Sequence, residues 1–116
     1  MFSLVIGATM PLSLRGSVQI APRDLVQRFG PPGPGSADRK VTGTYHFQDR
    51  RKRSIQIYDW KVTTLYDGRT EAGTLTIKDF WSSSIPQEFS VAATATVDLI
   101  SFANWLGAVS FRSDWA

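Results

Sequence analysis

Arg50, Arg51, Lys52 and Arg53 stand in an unbroken row between two alternating apolar runs. Guanidinium and ammonium groups at that density attract phosphate, and on a hairpin turn they would track a nucleic-acid backbone. Tyr45, Tyr58 and Trp60 on the flanking runs offer flat rings on which bases could stack. The plain alternative is that exposed turns need polar residues and that charges at a tip deter aggregation. Four in a row exceeds what solubility asks, and no recognition-helix pattern accompanies them, so base-specific readout is not expected. These residues supply +4 of a net charge of +3, leaving −1 for the remainder. Long-range attraction of a polyanion therefore has to originate at this tip.

A second set follows the turn. Tyr58, Trp60, Lys61, Thr64 and Tyr66 bring together rings for a base, hydroxyls for its edge and a cation for phosphate, the makings of a nucleotide-sized site. Thr63, Arg69, Phe80 and Trp81 lie among or just beyond them. Core packing competes for every ring, because a domain of this size needs its large residues inside. Tyr58 and Trp60 differ from the others. On a strand they fall on the face opposite Ile55 and Ile57, and that face has to be covered by a helix, a partner subunit or a ligand. The predicted contact surface is thus Tyr58, Trp60, Lys61, Thr64 and Tyr66, with Arg50, Arg51, Lys52 and Arg53 adding anion attraction.

Catalytic constellations are sparse. The chain has one histidine, His46, and no cysteine, which removes thiolate chemistry, disulfides and the usual zinc sets. A lone histidine within a strand is more often a hydrogen-bonded surface residue than a general base. Asp59 shares the parity of Ile55 and Ile57, so its carboxylate needs a partner, and Lys61 at the same parity is the expected one. A satisfied strand-end ion pair outweighs an active-site pair there. Neither a nucleophile elbow nor a phosphate-cradling glycine loop is present. The chain reads as a binding protein and not an enzyme, with no metal and no cofactor expected.

The elements that must position these residues follow from periodicity. With 116 residues, 42% hydrophobic and 20% charged, the chain has the composition of one globular domain. Residues 1–14 lack charge, and the apolar run breaks at Gly7 and Pro11, so a loose arm or an extra strand is expected there over a signal peptide. Leu12–Ile20 alternates as a strand. Pro22 at a first turn, an apolar face of Leu25, Val26 and Phe29, and Gly30 as a stop mark a short helix. Pro31 to Gly35 reads as a connector rather than a polyproline ligand. In the central hairpin, over 41–66, Val41, Gly43, Tyr45 and Phe47 alternate with Thr42, Thr44 and His46 along the first run, and Ile55, Ile57 and Asp59 with Gln56, Tyr58 and Trp60 along the second.

Thr74–Ile77 is expected as a third strand of a meander, 79–86 as irregular chain, and Gln87–Ala92 as a further strand. Thr94 or Thr96 then caps a helix with Val97, Ile100, Ala103 and Trp105 or Leu106 on its apolar face, ended by Gly107. Val109 and Phe111 offer a last short strand. The sum is α+β: an antiparallel sheet of roughly four to six strands around a central hairpin, with two short helices packed on it.

Between Phe29 and Leu106 a series of landmarks stands in order: Lys40-Val41-Thr42-Gly43, Tyr58-Asp59-Trp60-Lys61, Thr64-Leu65-Tyr66, Phe80-Trp81, Phe89-Ser90-Val91 and Trp105-Leu106. Their order resembles that of small single-domain accessory proteins of phages and other mobile elements, from which the basic turn is a departure. The resemblance implies a viral anti-defence inhibitor working in the host cytoplasm. Such a protein masks a host protein or sequesters a nucleotide-like ligand. An open strand face and free sheet edges favour a symmetric homodimer, and no membrane partner is expected. The alternative is a nucleic-acid binder using the tip at 50–53.

Overall fold

The computed structural model describes residues 2–5, 13–35, 41–59 and 76–113. They form six strands and three helices, an α+β arrangement. In chain order the elements are β1 (Ser3–Val5), β2 (Ser13–Ile20), α1 (Pro22–Phe29), β3 (Thr44–Gln48), β4 (Ser54–Tyr58), α2 (Ile77–Ser82), β5 (Gln87–Ala93), α3 (Leu99–Leu106) and β6 (Ser110–Ser113). All six strands join one sheet in the order β1-β3-β4-β5-β2-β6, and every pairing is antiparallel. Near the N-terminus β1 pairs with β3 at the end of the strand order.

Alternation sorts each strand into two faces. Tyr45 and Phe47 of β3, Ile55 and Ile57 of β4, Phe89 and Val91 of β5 and Val18 of β2 are all buried in a single core. Each such ring or branched side chain removed from water contributes about 1.5–3 kcal/mol. All three helices close over this one face: Phe29 of α1 and Phe102 of α3 meet the Phe47 ring, and Phe80 of α2 meets Phe89. Gly16 is needed for close approach at the other edge, where a Cβ would collide with the Arg112 carbonyl of β6.

The helices follow local rules. Pro22 opens α1, Asp24 lies in its first turn, and Gly30 leaves it at φ 85° while its N–H donates to the Val26 carbonyl. Arg28 of the same helix donates from Nη1 to the Trp105 and Leu106 carbonyls at 2.9 and 3.3 Å, and its guanidinium lies 4.4 Å from the Trp105 ring centroid. A cation is thereby set at the negative end of α3.

Two expectations need correction. Ile77 belongs to helix α2 and not to a meander strand, while Thr74 and Leu75 lie outside the described residues. Thr76 caps that helix by accepting from the Asp79 N–H at 3.1 Å, and Ile77, Phe80 and Trp81 recur at helical spacing. The neighbour of β4 is therefore β5. In α3 the cap is Asp98, not Thr94 or Thr96, and its carboxylate accepts from the Ser101 N–H at 3.1 Å. The buried stripe is Leu99, Phe102, Ala103 and Leu106, so Ile100 points outward at 66% exposure.

Candidate functional site

Because the helices share one face, the other face of the sheet is built from the alternate residues. Thr44, His46 and Gln48 of β3, Gln56 and Tyr58 of β4, Ser90 of β5 and Ser17 of β2 lie there, all half-buried. Register aligns the face in rows: Thr44, Tyr58, Ser90 and Ser17 across one line, and His46, Gln56, Ala92 and Leu14 across the next. Tyr58 thus sits opposite Ile55 and Ile57, as strand parity requires. The polar side chains of these rows are hydrogen-bonding groups without a charge, except as His46 takes one on. Burial lowers the His46 pKa below 6.5, which favours the neutral ring. Its Nδ1 is shut off from solvent and has no hydrogen-bond partner among the described residues. Buried polar atoms are nearly always partnered, so this one stands out, and an external bonding group reaches it only when the ring turns or its neighbours shift.

Trp60, Lys61, Thr64 and Tyr66, with Thr63 and Arg69, lie outside the described residues. Tyr58 is the one aromatic of the predicted contact surface whose position is described. Tyr45 takes no part in it. It points to the helix-covered face at 3% exposure, its hydroxyl donates to the Gly30 carbonyl at 2.6 Å, and burial pushes its pKa up to about 12. Tyr45 cannot stack on a base, because it lies one residue out of phase with the face that bears His46 and Tyr58. Phe80 is likewise fully buried, and Trp81 packs edge-on against it.

Asp59 is 0% exposed, as its parity required. Its described partners come from the loop before β3. Oδ1 accepts from the Thr42 and Gly43 N–H groups at 2.9 and 3.0 Å, and Oδ2 accepts from the Thr42 hydroxyl at 2.6 Å. The Trp81 indole N–H donates to that hydroxyl oxygen at 2.9 Å. Donors surround the carboxylate and hold three segments together, which is the work of a structural knot. The expected Lys61 partner falls outside the described residues.

The basic tip divides in two. Asp49 Oδ1 accepts from the Arg51 and Arg53 N–H groups, each at 2.9 Å, and Lys52 takes a left-handed φ of 60°. Arg53 folds back: its Nε donates to Asp49 Oδ2 at 2.6 Å and its Nη1 to the Thr96 carbonyl at 2.8 Å. Desolvation raises the Asp49 pKa, but the Arg53 N–H and guanidinium and the Arg51 N–H outweigh it and hold the carboxyl below 3.8. Arg50, Arg51 and Lys52 remain exposed. Arg15 joins Arg53 on the same turn, donating from Nη1 to the Thr94 and Val97 carbonyls at 3.1 Å each. Its place at a register shift between β2 and β5 lets it reach them, and no sequence signal marked it.

Among the described residues no group of three or more histidine, aspartate or glutamate side chains is placed to hold a metal. No helix among them is long and apolar enough to cross a membrane. No protein-family model matches the chain, and no curated protein matches it.

Proposed function

We propose that this protein works by binding, without chemistry of its own, and that the sheet face bearing His46, Gln56 and Tyr58 is its contact surface. The observation that carries the reading is His46 Nδ1, enclosed on that face without a described partner. Uncharged donors and acceptors in rows suit the edge of a planar, hydrogen-bonding ligand or a polar protein surface. Continuity along the chain places the predicted partners Trp60, Lys61, Thr64 and Tyr66 directly after Tyr58 in sequence. The resemblance to phage accessory proteins supports an anti-defence role, by sequestering a nucleotide-like ligand or masking a host protein.

Native mass spectrometry of the full chain with a panel of mono- and cyclic nucleotides tests the ligand reading and reports any dimer in the same spectrum. Ligand capture that is lost in His46→Ala and Gln56→Ala, with folding unchanged, supports the face. Capture that survives both changes sends the site elsewhere. Absence of capture, together with a host protein retained by wild type and lost in the same variants, supports masking.

A further inference from the structure

A second surface is built at the hairpin tip. Asp49 gathers the turn: two backbone N–H groups bind its Oδ1, the Lys52 N–H donates to its carbonyl at 3.0 Å, and its own N–H donates to the Arg53 carbonyl at 3.1 Å. The loop is therefore fixed before anything binds. Arg53 is committed to Asp49 and Thr96, and the opposite charges of Arg53 and Asp49 offset each other. The Arg50, Arg51 and Lys52 side chains make no hydrogen bond or ion pair among the described residues, and all three are exposed. From a sequence row of four cations the fold ties down Arg53 and leaves three exposed with no partner among the described residues.

We infer that this tip is a sequence-independent contact for the phosphate backbone of nucleic acid, made by Arg50, Arg51 and Lys52 and not by Arg53. Three adjacent like charges repel one another, and a repeating anion is the partner that relieves all three at once. A nucleic acid also releases condensed counterions on contact, a gain that an isolated acidic side chain does not offer. The tip cannot read bases. The last strand pair, Gln48 with Ser54, is level with Ser3 of β1, so only the loop projects and no ribbon extends to enter a groove. A bilayer is the weaker fit, because no apolar side chain stands between Gln48 and Ser54 to anchor among lipid tails. This contact is independent of the sheet face and would survive the failure of that reading.

Fluorescence anisotropy of the full chain with two unrelated labelled duplexes, across 25–200 mM NaCl, tests it. The slope of log K against log salt should be about −2.7 for duplex and about −2.1 for single strands, as three phosphate contacts require. Both sequences should give the same affinity. Replacing Arg50, Arg51 and Lys52 together by Ser should abolish binding and leave the urea midpoint unchanged. A slope of about −3.6 would bring Arg53 into the contact and overturn the count of three. Retained binding in the triple variant, a preference between the sequences, or tighter capture by phosphatidylserine vesicles than by duplex would each overturn the assignment.

Discussion

Thr42 and Asp59, seventeen residues apart, are joined through both backbone and side chain: the Thr42 N–H donates at 2.9 and 3.1 Å to the two carboxylate oxygens, and its hydroxyl donates at 2.6 Å. The Trp81 N–H on the same hydroxyl ties in α2. Thr42→Val keeps the shape, leaves the indole N–H without its acceptor and takes from Oδ2 its shorter bond while the backbone N–H remains, at a cost of about 1–3 kcal/mol. Asp59→Ala removes the acceptor of two backbone donors and costs about 3 kcal/mol or more. Urea denaturation reads both. An unchanged midpoint in Thr42→Val would mean that the hydroxyl carries no stability.

Arg28 links α1 to the far end of α3 through two carbonyls and the Trp105 ring. Arg28→Ala should destabilise by about 1–2 kcal/mol, since a charge-assisted bond and a cation–π contact go together. In a chain of this size that is a Tm drop of about 4 °C or more. Arg28→Lys should not restore it, because a single ammonium cannot reach both carbonyls and stack as well. Full recovery by lysine would reduce the interaction to simple charge at the helix end.

The Asp49 carboxyl has its pKa held below the ordinary 3.8 in the folded chain. The stability this confers is fully present above that ordinary value and is lost as pH falls through the folded one. Stability measured by urea should therefore decline below about pH 4. Asp49→Asn should be weaker than wild type at pH 7 and should show a shallower acid decline. Parallel declines in the two proteins would assign acid sensitivity to other carboxylates, such as the helix cap Asp98, whose pKa is lowered by Ser101.

His46 gives the opposite kind of group the same direction. Its folded pKa is lowered by burial, so the unfolded chain takes up a proton first as pH falls from 6.5. Stability should drop from pH 7.5 to pH 5, and His46→Gln should flatten that drop. Two-dimensional NMR of the imidazole ring would locate the titration directly. A midpoint at or above 6.5 would show that the ring is solvated or paired, and the binding face would lose its main support.

Much of the fold was legible from period and punctuation. Pro22 and Gly30 bounded α1, and the phase of Ile55 and Ile57 told which side of β4 is covered and buried Asp59 correctly. Helix α2 was missed because Thr74–Ile77 alternates like a strand, while Ile77, Phe80 and Trp81 carry the helical spacing across that boundary. Ile100 was placed inside by starting α3 from Thr94 or Thr96; the actual cap at Asp98 turns the stripe to Leu99, Phe102 and Leu106. Of the candidate site, the tip was visible as a row of charges. The row alone could not show Arg53 leaving it, since one of its partners, Thr96, is forty-three residues away. Long-range acceptors on backbone carbonyls, for Arg15 and Arg28 as for Arg53, have no local signature.

The strand order also sets a folding itinerary. The β3–β4 hairpin closes over a five-residue loop and can form early, whereas β2 finds both of its neighbours, β5 and β6, in the last third of the chain. Loop-closure entropy has to be met before those distant pairings reward it, so the pairings of β2 are expected to form after the hairpin. During synthesis β2 emerges long before its partners, with Val18 and Ile20 unshielded, and this interval is when the nascent chain is most exposed to aggregation or to chaperone capture.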